Sequence, residues 1–241
     1  MKNRIISNLF ELWKHIGARG HFLHNANHYN YVRPNNNSWP SKVFELEVLQ
    51  GDFEELYSKI ENKTLPHSIS ILENEELESK LLEHKFTLRS IVKGMYLDLK
   101  ESDKPDNSFT SIEKVDDHIK ATSFARIATE SFGYEVLTST IIPLINSSEL
   151  KLFIGMHKNN YVSCGMVLLD KNGISGLHMI GTISEYRGLG LGKIMTNKLL
   201  FEAYENGSKQ VVLVASESGE RIYSKLGFIT QGNLKSYSIN R

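Results

Sequence analysis

The sequence predicts a mixed α/β fold, and three observations carry that prediction. Two apolar runs, Leu150–His157 and Tyr161–Asp170, flank the polar turn Lys158-Asn159-Asn160 in the pattern of a β-hairpin. Further on, the apolar segment Gly176–Ile183 leads through a glycine-rich turn into a helical stripe of Ile194, Met195, Leu199, Leu200 and Ala203. The short apolar run Val211-Val212-Leu213-Val214 then follows that helix. Strands joined first by hairpins and later by helix crossovers make a sheet with both antiparallel and parallel neighbours.

The elements read in order as follows. Ile5, Leu9, Leu12, Trp13 and Ile16 recur at helical spacing. The Asn-rich stretch Asn25–Ser41 reads as a loop, and Val43–Val48 as a strand with partial alternation. Asp52–Ile60 reads as a helix, Ser68–Leu72 as a short strand and Glu75–His84 as a helix. Phe86–Leu99 is a long strand or a bent pair. The polar, proline-containing run Lys100–Ser108 reads as a linker, which sets a domain partition of 1–105 and 106–241. Beyond it come a strand at Phe109–Val115, a helix opened by Asp116-Asp117 and running to Phe132, and a helix over Glu135–Ser147. Gly207 closes the helix Gly192–Asn206, and a short helix spans Gly219–Leu226.

Composition narrows the function classes. In 241 residues, Lys+Arg and Asp+Glu are both 28, so the chain lacks the basic excess of a nucleic-acid binder. Its single cysteine, Cys164, excludes an internal disulfide and a cysteine-based zinc site, and fits a reducing, cytoplasmic setting. No apolar run is long enough for a membrane span, and Glu11 and Lys14 interrupt the only early hydrophobic stretch. His21, His24 and His28 sit in an Asn-rich segment without close carboxylates or cysteines, so no metal is expected there.

The segment that carries chemistry is Glu185-Tyr186-Arg187-Gly188-Leu189-Gly190-Leu191-Gly192-Lys193, between a strand and a helix. Glycines remove Cβ atoms where backbone N–H groups must approach an anion, and a helix N-terminus adds unpaired donors and a positive dipole end. Arg187 and Lys193 contribute two positive side chains, so a pyrophosphate fits. The Gly-x-Gly-x-Gly spacing is not the Gly-x-Gly-x-x-Gly of dinucleotide folds. A Walker A loop would need glycine and Ser or Thr where Arg187 and Ile194 stand.

Arg187-x-x-Gly190-x-Gly192 resembles the cofactor motif of the GCN5-related N-acetyltransferases, the GNAT superfamily. A second segment, Ser216-Glu217-Ser218-Gly219-Glu220-Arg221-Ile222-Tyr223-Ser224-Lys225-Leu226-Gly227-Phe228, is similar to the family's closing helix with its tyrosine and Gly-Phe turn. Many members carry Asn and Ala where Ser216 and Gly219 stand. The resemblance covers about residues 108–241. It implies acetyl-CoA as co-substrate, no metal, and acetyl transfer to a primary amine of a small molecule or peptide, with neither nucleic acid nor membrane as partner. The alternative is a silent CoA-binding sensor or interaction module.

By resemblance, the amides of Arg187, Gly188, Leu189, Gly190, Leu191, Gly192 and Lys193 hold the pyrophosphate, with Ser216 nearby. A backbone N–H within Met179, Ile180, Gly181 and Thr182 polarises the thioester carbonyl. Tyr223 matches the family tyrosine that protonates the departing thiolate. His178, nine residues before Arg187, is the candidate base; Glu130, Glu135 and Glu149 are alternatives, and a weakly basic amine needs none. Cys164 has no His or Asp at a partner spacing and reads as a buried thiol rather than a nucleophile. Residues 1–105 lack the loop and are compatible with a degenerate, non-catalytic GNAT-like half that shapes the acceptor pocket or a homodimer surface.

Overall fold

The computed structural model describes residues 2–47, 52–100, 102, 104–169 and 173–240. Val48, Glu101, Asp103 and Asp170, which the sequence assigns to strand ends and the linker, lie outside them. The chain divides into two compact units, Met1–Met95 with Val214–Arg241, and Tyr96–Leu213. This division by compactness runs differently from the sequence partition at 105/106, because the closing segment belongs to the first unit.

In the first unit, α1 (Lys2–Arg19) buries Ile5, Leu9, Leu12, Trp13 and Ile16, the stripe read from the sequence. The Trp13 ring meets Phe44 edge-on at 5.4 Å. Two short strands follow: β1 (Leu23–Asn25) ends where the loop Asn25–Ser41 was expected to begin, and β2 (Asn30–Val32) stands inside that stretch. They carry too few apolar residues for a periodic signal and are held by pairing and by His24 stacked on Tyr31 at 4.5 Å. The third strand, β3 (Lys42–Phe44), is shorter than expected because Glu45 turns to φ +53, which breaks the extended backbone. Then follow α2 (Phe53–Glu61), β4 (Ile69–Leu72) and α3 (Glu75–Glu83), with Asp52 and Asn74 as N-caps. One long strand, β5 (Phe86–Asp98), starts in this unit and ends in the other.

The second unit contains β6 (Ile112–Lys114), shorter than Phe109–Val115, and α4 (His118–Phe132), capped by Asp117 and ended by Gly133 at φ +75. The expected helix over Glu135–Ser147 is reduced to α5 (Thr138–Ile141) and a 3-10 turn over Ile142–Leu144. Pro143 lacks the N–H that a longer helix requires there. Next come β7 (Leu150–His157), β8 (Asn160–Leu169), β9 (Ile174–Thr182), α6 (Leu191–Glu205) and β10 (Gln210–Ala215). The hairpin β7–β8 and the pair β8–β9 are antiparallel, and β9–β10 is parallel across the α6 crossover, so the mixed sheet is as predicted. The chain closes with α7 (Glu217–Ser224) and β11 (Ile229–Ile239), which runs antiparallel to β4 in the first unit. Among the described residues, no helix is long and apolar enough to cross a membrane.

Candidate active site

The glycine-rich loop joins β9 to α6 inside the second unit. Gly188 and Gly190 take φ of +81 and +78, a region that side-chain-bearing residues avoid. A Cβ built on either would meet no protein atom within 4 Å, so both open onto free space. Gly190 is the N-cap of α6 and offers no side-chain oxygen, so the first N–H groups of the helix, from Leu191, Gly192 and Lys193, receive no side-chain cap. Ile194 makes the first intrahelical bond, to the Gly190 carbonyl at 3.1 Å. The result is a cradle of uncapped donors at the positive end of a 15-residue helix, with Leu189 and Lys193 exposed around it. These residues fit a pyrophosphate.

Arg187 has a more specific task than adding charge. Its Nε donates to the Thr182 carbonyl and its Nη2 to the Ser131 carbonyl, both at 3.1 Å. The guanidinium therefore ties the loop to the end of β9 and to the last turn of α4. Its fork geometry makes two bonds that an ammonium could not make in the same way.

Upstream of the loop, β9 is irregular. Ser163 pairs with Thr182 and Cys164 with Gly181, but Met166 pairs with His178. Met179 and Ile180 thus oppose Gly165 alone, which is a β-bulge. Met179 carries φ +51, unusual for a residue with a side chain. A bulge takes a backbone N–H out of the ladder and can aim it elsewhere. Met179 and Ile180 are half-buried, so the bulge reaches the surface, while most of β9 before it is buried. Gly165 is required across from it: a Cβ there would lie 2.8 Å from Met195 Cγ on α6.

His178 lies immediately before the bulge and is 6% exposed. Burial pushes its imidazole down to about 3, so it stays neutral near physiological pH and is a poor resting place for a proton taken from an ammonium. Of the carboxylate alternatives, Glu149 accepts through its carbonyl from Leu169, at the end of β8 remote from the loop. Glu130 is paired with Arg126 at 3.2 Å. Glu135 is exposed and follows the α4 terminus directly. Cys164 is fully buried, and burial raises its thiol to about 12, which suits a hydrogen-bond donor rather than a thiolate nucleophile.

Ser216 and Tyr223 belong to the first unit, Ser216 as the N-cap of α7 and Tyr223 within that helix. The Ser216 hydroxyl accepts from the Gly219 N–H at 3.3 Å and caps the helix. Tyr223 is half-buried, with its ring edge-on to Phe228 at 5.7 Å, and its carbonyl accepts from Leu226 and Phe228 in the Gly-Phe turn. His24 and His28 engage Tyr31 and Glu47 in separate contacts. Among the described residues, no group of three or more His, Cys, Asp or Glu is placed to hold a metal ion.

Sequence reasoning missed Tyr134. It stands just after the α4 C-cap Gly133, stacks on Phe132 at 5.6 Å, and directs its hydroxyl to the Met179 sulfur at 3.6 Å. The only local trace of this is the pair of aromatics on either side of a cap glycine.

Residues 113–237 match the family described as "Acetyltransferase (GNAT) domain". A stretch of 107 residues, 44% of this chain, is 33% identical to the uncharacterised N-acetyltransferase YitH of Bacillus subtilis strain 168 and spans 30% of that protein's length. Among solved structures, a GCN5-related N-acetyltransferase from Kribbella flavida matches with TM-score 0.70 at 18% identity, covering 100% of this chain and 96% of that one. A GNAT-family protein from Novosphingobium aromaticivorans DSM 12444 matches with TM-score 0.64 at 12% identity, over 93% and 94% of the two chains. At such identities the likeness is one of fold, and it extends over residues before the glycine loop as well as after it. With just over half of its residues inside the matched domain, the chain belongs to the GNAT acetyltransferase family.

Proposed function

We propose that this protein transfers an acetyl group from acetyl-CoA to a primary amine by direct attack. The observation that carries this reading is the sequence of a bulged β9, an open glycine loop and an uncapped α6 N-terminus within a single connection. The co-substrate supplies an activated acyl group as a thioester. The N–H groups at the start of α6 hold its pyrophosphate, and Arg187 keeps the loop at the strand end. At Met179–Ile180 the displaced backbone offers an N–H to the thioester oxygen, a contribution that grows as charge develops there. Tyr223 Oη gives a proton to the thiolate as the C–S bond breaks while the amine nitrogen bonds to the acyl carbon. The amine nitrogen sheds its extra proton to solvent or to an exposed carboxylate such as Glu135, because burial lowers the proton affinity of His178 and makes it the weaker acceptor. The acceptor is a small-molecule or peptide amine, and residues 1–105 carry no chemical step.

The test is a screen of amines, amino acids, aminoglycosides and peptides that follows free CoA thiol release, alongside calorimetry with CoA. Acceptor-dependent release with micromolar CoA binding is expected. CoA binding without release for any acceptor would identify a cofactor-binding module instead, and absence of both would refute the site.

A further inference from the structure

The bulge in β9 is gripped from two sides. Met179 sits at φ +51, a conformation that persists for a side-chain-bearing residue only where the surroundings over-determine it. One determinant is Cys164 on β8, fully buried, whose Sγ donates to the Met179 carbonyl at 3.3 Å. The other is Tyr134, whose hydroxyl donates to the Met179 sulfur at 3.6 Å while its ring lies stacked on Phe132. Phe132 is in turn wedged against β9, since a Cβ on Gly181 would lie 3.2 Å from its ring. The backbone and the side chain of one strained residue are thus held by separate groups from β8 and from the α4 terminus. We propose that Cys164 and Tyr134 are positioning residues that set the bulged backbone at Met179–Ile180, and through it the N–H that polarises the acyl carbonyl; this rests on the acetyl-transfer reading above.

A thiol suits this task for a physical reason. Its burial keeps it protonated, so it remains a donor across the working pH range, and it adds no charge beneath the carbonyl. The longer C–S bond also lets the donor reach a carbonyl that the bulge has turned toward β8.

The test compares Cys164→Ala, Cys164→Ser and Tyr134→Phe with the parent. Bound acetyl-CoA labelled at its carbonyl carbon is followed by difference infrared spectroscopy, together with kcat, KM and calorimetric CoA binding. In Cys164→Ala the carbonyl band should move back toward its position in free solution, and kcat should fall roughly tenfold, a fraction of the loss seen when an oxyanion donor is deleted outright. CoA affinity should stay within about twofold, because the pyrophosphate cradle is untouched. Cys164→Ser keeps a donor and should recover kcat to within about threefold of the parent. Tyr134→Phe should show a smaller shift in the same direction. An unchanged band and kcat in Cys164→Ala would overturn the positioning role while leaving acetyl transfer intact. Failure of the parent itself to bind acetyl-CoA would refute the functional reading and the positioning role with it.

Discussion

Two glycines with the same backbone conformation allow a stringent test of the cofactor cradle. Gly190 and Gly207 lie at the two ends of α6, with φ +78 and +74, and a Cβ on either meets nothing within 4 Å. Replacing either by alanine imposes a left-handed conformation on a residue with a side chain, a cost of about 1–2 kcal/mol. Neither variant adds a clash. Gly190→Ala and Gly207→Ala should therefore lose similar stability, seen as a drop of a few degrees in Tm. Their effect on CoA should diverge. A methyl at Gly190 enters the open space at the N-cap of α6, beside the proposed pyrophosphate, and displacing a phosphate from one charge-assisted bond there is worth roughly 1.5–3 kcal/mol. Affinity should fall by about 10- to 100-fold in Gly190→Ala and remain within about twofold in Gly207→Ala. Calorimetry with CoA beside thermal unfolding reads both quantities. Equal CoA affinity in the two variants, at equal stability loss, would refute the pyrophosphate assignment.

Three further expectations follow from other residues. Tyr223→Phe keeps the ring against Phe228 but deletes the transferable proton, so turnover should drop roughly 10- to 1,000-fold with CoA affinity little changed; turnover within twofold of the parent removes Tyr223 from the mechanism. For His178 the folded pKa is about 3 against an ordinary 6.5, so the unfolded chain takes up a proton that the folded chain refuses, and stability is lost as pH falls below 6.5. Between about pH 7.5 and about pH 5 that loss is roughly 2 kcal/mol, and His178→Asn should abolish it in urea titrations at the two pH values. Arg187→Lys retains the charge but forfeits the paired bonds to Thr182 and Ser131, so CoA binding should weaken about as much as in Arg187→Met; full retention with lysine would show that charge alone matters.

Much of the fold and part of the site were legible in one dimension because their causes are local. The helix stripes of α1 and α6, the hairpin β7–β8 and the helix start at Asp116-Asp117 rest on spacing and on short-range hydrogen bonds. The loop from Arg187 to Lys193 was legible for the same reason: only glycine takes φ near +80 without strain, so the backbone requirement is written into residue type. What the sequence did not disclose are relations between distant segments. The strands β1 and β2 have too little apolar content to signal themselves, and exist through pairing. The bulge at Met179 carries no glycine; it arises from the register of β9 against β8 and is held by Cys164 and Tyr134, which are 15 and 45 residues away in sequence. His178 has the residue type of a base, but its proton affinity was decided by burial, which strand spacing alone does not reveal. Residue type and spacing determined the open glycine loop and the helix start behind it; tertiary packing decided where the backbone is strained and which side chains can hold a proton, because register and desolvation are properties of neighbours rather than of the residue itself.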